Sequence, residues 1–318
     1  MIRLDLHFEL DYHVDSPYGD FVFNIQPACT AAQRVLQEQV DVLPALPWRS
    51  DTIAGSGNRL LRLRAPQGPM HLTYTASVCI DHHIDDPAGI EETTIDHVPS
   101  DALHYLAPSR YCESDRLVPW ANAEFGHLPC GYRRAEAVAH WVRGHIAYAS
   151  LGSTPRTSAM DTLTDRTGVC RDYAHLMIAL CRALSMPARY VTGTDYGANP
   201  AKPPDFHAYV EVYLGQRWYL FDPSGTGIPM GFVRIGTGRD AADVPFATLF
   251  GQVQAPYAPL VRAVACEGPG LQLPAHVDSA LSTDGGPADL PGVPVLSTDR
   301  WQPPRETCPA NDSGRLAS

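Results

Sequence analysis

From Ile2 to Val14 every even position is apolar (Ile2, Leu4, Leu6, Phe8, Leu10, Tyr12, Val14), while Arg3, Asp5, His7, Glu9, Asp11 and His13 fill the odd ones. Successive side chains on an extended backbone point to opposite faces, so this period of two predicts a half-buried strand. A second alternation through Met70, Leu72, Tyr74, Ala76, Val78 and Ile80 predicts another, and shorter strand-like pieces fall at Phe21 to Ile25 and Leu60 to Arg64. Residues 1–112 therefore read as an antiparallel β domain. One helical interruption is expected over Thr30 to Val42, with Pro44 and Pro47 limiting its extent.

Near Pro119 the period changes. Val138, Trp141, Val142 and Ile146 recur at helical spacing, and Ala174, Met177, Ile178, Cys181 and Leu184 form one apolar face of a helix that begins at Cys170 and stops before Pro187. Strands rich in β-branched and aromatic residues follow at Arg189 to Thr192, Phe206 to Leu214 and Trp218 to Asp222, the last two joined by a hairpin turn at Gly215-Gln216. Residues 113–266 read as an α+β core. From Glu267 onward Pro, Gly, Asp and Ser abound, with one aromatic, Trp301, and 267–318 is expected to be a disordered tail.

Among the 318 residues 44% are hydrophobic and 19% charged, ordinary for a globular chain, and the formal charge is −11. That charge, with no basic run, argues against nucleic acid and anionic membranes as partners and favours neutral or basic substrates. Charges interrupt the apolar steps of the first ten residues, so neither a signal peptide nor a membrane span is expected there, and a cytoplasmic location follows as the default. The eight cysteines are scattered without any Cys-x-x-Cys pair, which predicts reduced thiols.

One cysteine stands where chemistry is expected. In Thr167-Gly168-Val169-Cys170-Arg171-Asp172-Tyr173 it sits where a glycine-containing loop turns into an amphipathic helix. Unpaired backbone N–H groups and the positive end of the helix dipole there favour a thiolate, and the cysteine's own N–H is placed to meet an oxyanion. A proton acceptor is available on the hairpin, with His207 on its first strand and Asp222 on its second. A Gly215-Gln216 loop makes Asp222 a diagonal neighbour of His207, and a Leu214-Gly215 loop sets them directly opposite; both registers put them on one face.

These residues carry a resemblance. Gly168-Val169-Cys170-Arg171-Asp172-Tyr173-Ala174-His175, Phe206-His207-Ala208-Tyr209-Val210-Glu211-Val212-Tyr213 and Trp218-Tyr219-Leu220-Phe221-Asp222-Pro223-Ser224 resemble, in order, the nucleophile, histidine and aspartate blocks of the bacterial transglutaminase-like superfamily, whose core is papain-like. The resemblance implies an α+β fold in which an N-terminal antiparallel β domain precedes the papain-like core. It further implies Cys170 as nucleophile, His207 as general base and acid, and Asp222 as the group orienting the imidazole. Gly238-Arg239-Asp240-Ala241-Ala242-Asp243-Val244 is similar to a loop following the aspartate block. Tyr209 departs from the family's frequent Trp, with packing or the substrate groove as the expected consequence.

The implied activity is acyl transfer: a cysteine enzyme cleaving amide bonds of a protein or peptide through a thioester, as a peptidase or amidase. An amine acceptor in place of water makes it a transglutaminase, and a scaffold without turnover makes it a protein-binding module. No cofactor or metal is required by this chemistry. Asp81-His82-His83-Ile84-Asp85-Asp86 reads as a solvated loop rather than a metal site, His175 as structural, and Tyr148 and Trp141 as candidates to line the site.

Overall fold

The computed structural model describes residues 1–196 and 205–283. Strand β1 (Ile2–Phe23) and strand β4 (Arg59–Ile80) are each 22 residues long and pair antiparallel along most of their length. The shorter pieces foreseen at Phe21 and Leu60 are the far ends of these two strands. The register slips between Val14 and Tyr18, where Pro17, having no N–H to give the ladder, sits in a bulge. The even side chains from Ile2 to Val14 are buried, as the alternation requires.

Thr30 to Val42 is not helical. Strand β2 (Gln33–Leu43) occupies it and pairs with β4, and β3 (Trp48–Thr52) pairs with β4 further along. The free hydrogen-bonding edge of β4 captures the segment, and Glu38, Val40 and Val42 turn to one face with the period of a strand. The short β5 (His83–Asp85) follows.

Helices α1 (Ser100–Leu103), α2 (Ser114–Phe125) and α3 (Tyr132–His145) lead to the two-residue strand β6 (Ala147–Tyr148). Helix α4 (Ala159–Asp165), strand β7 (Thr167–Gly168) and helix α5 (Cys170–Ala183) come next. Strands β8 (Ala188–Thr194), β9 (Phe206–Leu214), β10 (Arg217–Phe221) and β11 (Val233–Gly238) form an antiparallel sheet in the order β10-β9-β8-β11. The foreseen apolar face of α5 is buried against this sheet, and α2, α3 and α4 pack around the rest of the helix. Burial therefore extends to its polar residues Asp172, His175 and Arg182. Arg182 meets this by donating to the carbonyls of Ala107, Ala188 and Arg239 and to the Ser109 hydroxyl.

The chain then returns to the first sheet. Strands β12 (Ala247–Phe250), β13 (Val253–Gln254) and β14 (Leu260–Ala265) all pair with β1, so the N-terminal sheet takes strands from a segment that the sequence groups with the core. Part of the expected disordered tail is also built in. Strand β15 (Ala280–Ser282) pairs with β5, Leu281 enters the N-terminal core, and Thr283 donates to Glu211 Oε1 at 3.1 Å. Apolar Ala280 and Leu281, followed by the Thr283 hydroxyl with Glu211 in place to accept it, give this stretch enough to offset its ordering entropy. Residues 284–318 of that expectation lie outside the described residues.

Two amide side chains close the free edge of β11. Gln33 accepts from Arg234 N at 2.8 Å and donates to Arg234 O at 2.8 Å. Asn58 does the same for Thr237, with both distances 2.8 Å. Each amide copies the donor and acceptor of a neighbouring strand residue, so the β domain covers an edge that would otherwise expose unpaired backbone. Replacing Gln33 by Leu leaves those backbone groups buried and unpaired and should lower unfolding free energy by about 2 kcal/mol or more, read as a lower denaturant midpoint at unchanged slope. Ending the chain after Cys266 should lower the melting temperature too, since burial of Leu281 alone contributes about 2 kcal/mol.

Candidate active site

Helix α4 ends at Arg166 in the left-handed conformation, φ 56°. This turns the chain into β7, which runs parallel to β6 with Tyr148 beside Gly168. Val169 caps α5 in extended conformation, and the Asp172 carboxylate reaches back to accept its N–H at 2.9 Å. A side chain at 168 would bring a Cβ within 2.7 Å of Asp172 Cβ, so glycine there makes room for the cap. Arg171 braces the same carboxylate at 3.1 Å and spans to Ser153 Oγ and Thr154 O at 2.7 and 2.6 Å. The types at 168, 171 and 172 thus all serve to seat Cys170 as the first residue of α5, half-buried at the positive end of the helix.

The hairpin settles the register that the sequence leaves open. Gly215 and Gln216 occupy the turn at φ 50° and 67°, and Leu214 pairs with Arg217. Asp222 is accordingly a diagonal neighbour of His207, with His207 Nε2 3.3 Å from Asp222 Oδ1. At that distance the two groups form an ion pair when the imidazole is protonated. Both side chains are almost wholly buried. Asp222 Oδ1 also accepts from Ser224 N at 3.1 Å and Ser224 Oγ at 2.7 Å, and Oδ2 from Gly227 N at 3.3 Å.

Burial alone would push the His207 imidazolium down, but the Asp222 charge and then the Cys170 thiol outweigh it and hold it well above its ordinary value. For Asp222, burial raises the carboxyl, and the His207 charge with the Ser224 and Gly227 donors turns the balance downward. With Nε2 turned to Asp222, Nδ1 is the nitrogen left for the thiol. Phe232 lies against the imidazole at 4.8 Å between centroids, and Tyr209 packs on Phe232 at 4.9 Å. Tyr209 is fully buried, so the departure at that position acts on packing behind the imidazole.

Of the two aromatic candidates, Tyr148 belongs here and Trp141 does not. The Tyr148 phenol lies close to the backbone N–H and the thiol of Cys170; burial first, and then that thiol, push the phenol up to about 12. Trp141 instead packs on Trp120 at 4.9 Å and His145 at 4.1 Å. His175 is wholly buried on the far side of α5, accepts from Ala241 N at 3.1 Å and stacks on Tyr111, and burial pushes it down to about 3, so it is a neutral packing group. The Asp81 to Asp86 stretch is not a free loop, since His83 to Asp85 form β5, and no cluster of three metal-ligating groups occurs among the described residues. Asp205, two residues before His207, carries a carboxyl group on which the imidazole charge acts, and the sequence reading did not name it. Its one signal is shared strand parity with the histidine.

The family described as the transglutaminase-like superfamily matches residues 123–223, a span holding Cys170, His207 and Asp222. The crystal structure of a Cytophaga hutchinsonii protein, provisionally named a cysteine protease, is similar with a TM-score of 0.82 and 36% identity, over 88% of this chain and 97% of that one. An uncharacterized protein of Mycobacterium leprae is 26% identical over 259 residues, covering 77% of this chain and 91% of the relative. Another, from Mycobacterium tuberculosis, is 33% identical over 113 residues, 31% of this chain and 36% of the relative. The ordered blocks, the seated cysteine and near-complete coverage of a solved relative lead to one conclusion: the chain belongs to the transglutaminase-like superfamily.

Proposed function

We propose that this protein is a cysteine-dependent acyl-transfer enzyme that cleaves amide bonds of a peptide or protein through a thioester. The observation that carries the reading is the His207 imidazole held between the Cys170 thiol and the buried Asp222 carboxylate. The solved relative's provisional name, a cysteine protease, supports it.

In the reaction so inferred, His207 Nδ1 takes the Cys170 proton and the thiolate sulfur bonds to the amide carbonyl carbon. The carbonyl oxygen becomes an oxyanion that accepts from the Cys170 N–H, with the neighbouring Tyr148 hydroxyl as the second donor. As the tetrahedral species collapses, the C–N bond breaks and His207 returns its proton to the leaving amine. Water then loses a proton to His207, attacks the thioester, and the acid and free Cys170 are released. Hydrolysis is favoured over amine transfer because Cys170 is only half-buried, which leaves the thioester within reach of solvent.

Asp222 keeps its charge until the pH falls through its depressed folded value, so its support of the imidazolium is fully present above 3.8 and lost below that. His207 holds its proton from acid up to well above 6.5. Alkylation of Cys170 by iodoacetamide should therefore stay fast between pH 6 and 8, and His207→Ala should slow it at pH 6 by about tenfold or more, measured by peptide mass spectrometry. Equal rates in the two proteins would favour the binding-module reading. Once a reactive peptide is found, Tyr148→Phe should cut its turnover by about a hundredfold. Products carrying a new carboxylate support hydrolysis, and products linked to an added amine support transfer.

A further inference from the structure

The site carries one group that the mechanism does not use. Asp205 immediately precedes β9, and strand alternation places it on the face of His207. The residue is exposed overall while its carboxyl group is partly shielded, and its hydrogen bond is from Phe206 N at 2.7 Å. Among the described residues no Arg or Lys pairs with it, and His207 is the positive charge acting on it. The same carboxylate lies within electrostatic reach of the Tyr148 hydroxyl. Asp205 is thus an exposed anion on the His207 face of β9, within electrostatic reach of the two side chains that adjoin the Cys170 thiol.

Partial burial disfavours its charge, and the Phe206 N–H and the His207 charge offset this only in part, so its carboxyl is held above the ordinary value. A carboxylate in that condition is stabilised by any cation that docks against it, more so as the site loses water. The overall charge of −11 acts in the same sense at longer range.

We propose that Asp205 selects a cationic side chain, Lys or Arg, on the peptide or protein whose amide Cys170 attacks. This rests on the acyl-transfer reading above, and it makes Asp205 a specificity residue rather than a participant in bond making.

Thiol-directed reagents of opposite charge test it without knowledge of the natural substrate. Methanethiosulfonates with a trimethylammonium-ethyl or a sulfonato-ethyl arm react alike: the thiolate attacks the sulfenyl sulfur, a mixed disulfide forms and methanesulfinate leaves. Exposed Cys130 in the same molecule serves as the internal reference for net charge. The expected result is a cation-to-anion rate ratio at Cys170 about tenfold or more above that at Cys130, falling to the Cys130 value in Asp205→Asn and inverting in Asp205→Lys. A ratio unchanged by Asp205→Asn overturns the assignment while leaving the acyl-transfer reading standing. If Cys170 labelling is in addition indifferent to His207→Ala, that reading falls and the assignment with it. Competition against iodoacetamide identifies the source of the cation. Protection by acetyl-argininamide, lost in Asp205→Asn, supports a peptide side chain, whereas protection by methylamine alone overturns it in favour of an amine acceptor.

Discussion

Two ionisable groups taken almost wholly out of water, His207 and Asp222, set the conditions that the surrounding structure meets. Desolvating both costs several kcal/mol each, and their mutual attraction offsets this only where the remaining lone pairs find donors. Ser224 and Gly227 supply those donors to Asp222, which obliges the chain to fold back sharply just past β10. Gly225 sits in that bend at φ 62°, where a Cβ would fall 2.2 Å from the Arg143 guanidinium carbon. The pairing depends equally on the turn at Gly215 and Gln216, because a slip of one residue in the β9-β10 register would carry Asp222 to the opposite face.

The strand that presents His207 is held both within its sheet and from outside it. Four positions along β9, buried Glu211 accepts Arg189 Nε at 2.7 Å, adjoins Arg234 at 3.8 Å and takes the Thr283 hydroxyl. The carbonyl of Thr283 accepts from Thr30 Oγ1 at 2.7 Å, which ties the C-terminal strand to the N-terminal sheet. With Gln33 and Asn58 closing the edge of β11, the β domain is a supporting wall of the core sheet rather than an appendage. Phe206, next to His207, lies against Phe8 of β1 at 5.0 Å, so apolar packing reinforces the same union.

Local signals made much of this legible. The alternation from Ile2 to Val14 and from Met70 to Ile80, the apolar face of α5, and the Gly215-Gln216 turn each lie within a short window and match the structure. Thr30 to Val42 misled because its own residues tolerate a helix and only the open edge of β4, some forty positions away, makes it a strand. The window from 267 onward averages too few apolar residues to suggest order, yet Ala280 and Leu281 have places prepared for them in two different cores. Strands β12 to β14 join β1 across more than two hundred residues, a pairing that composition does not encode.

The site divides along the same line. The cysteine block explains itself from within: Gly168 leaves space for Asp172, Asp172 caps the helix, and the cap fixes Cys170 at its positive end. Such a unit stays recognisable because each member constrains the next. Tyr148 and Asp205 have no such internal logic. A two-residue parallel bridge places one, and the other stands at the mouth of a strand whose position depends on Glu211 and the domain behind it. The seat of Cys170 is therefore written in a short motif, while the groups around it are set by long-range packing, where sequence change alters the surroundings of the cysteine without dismantling its seat.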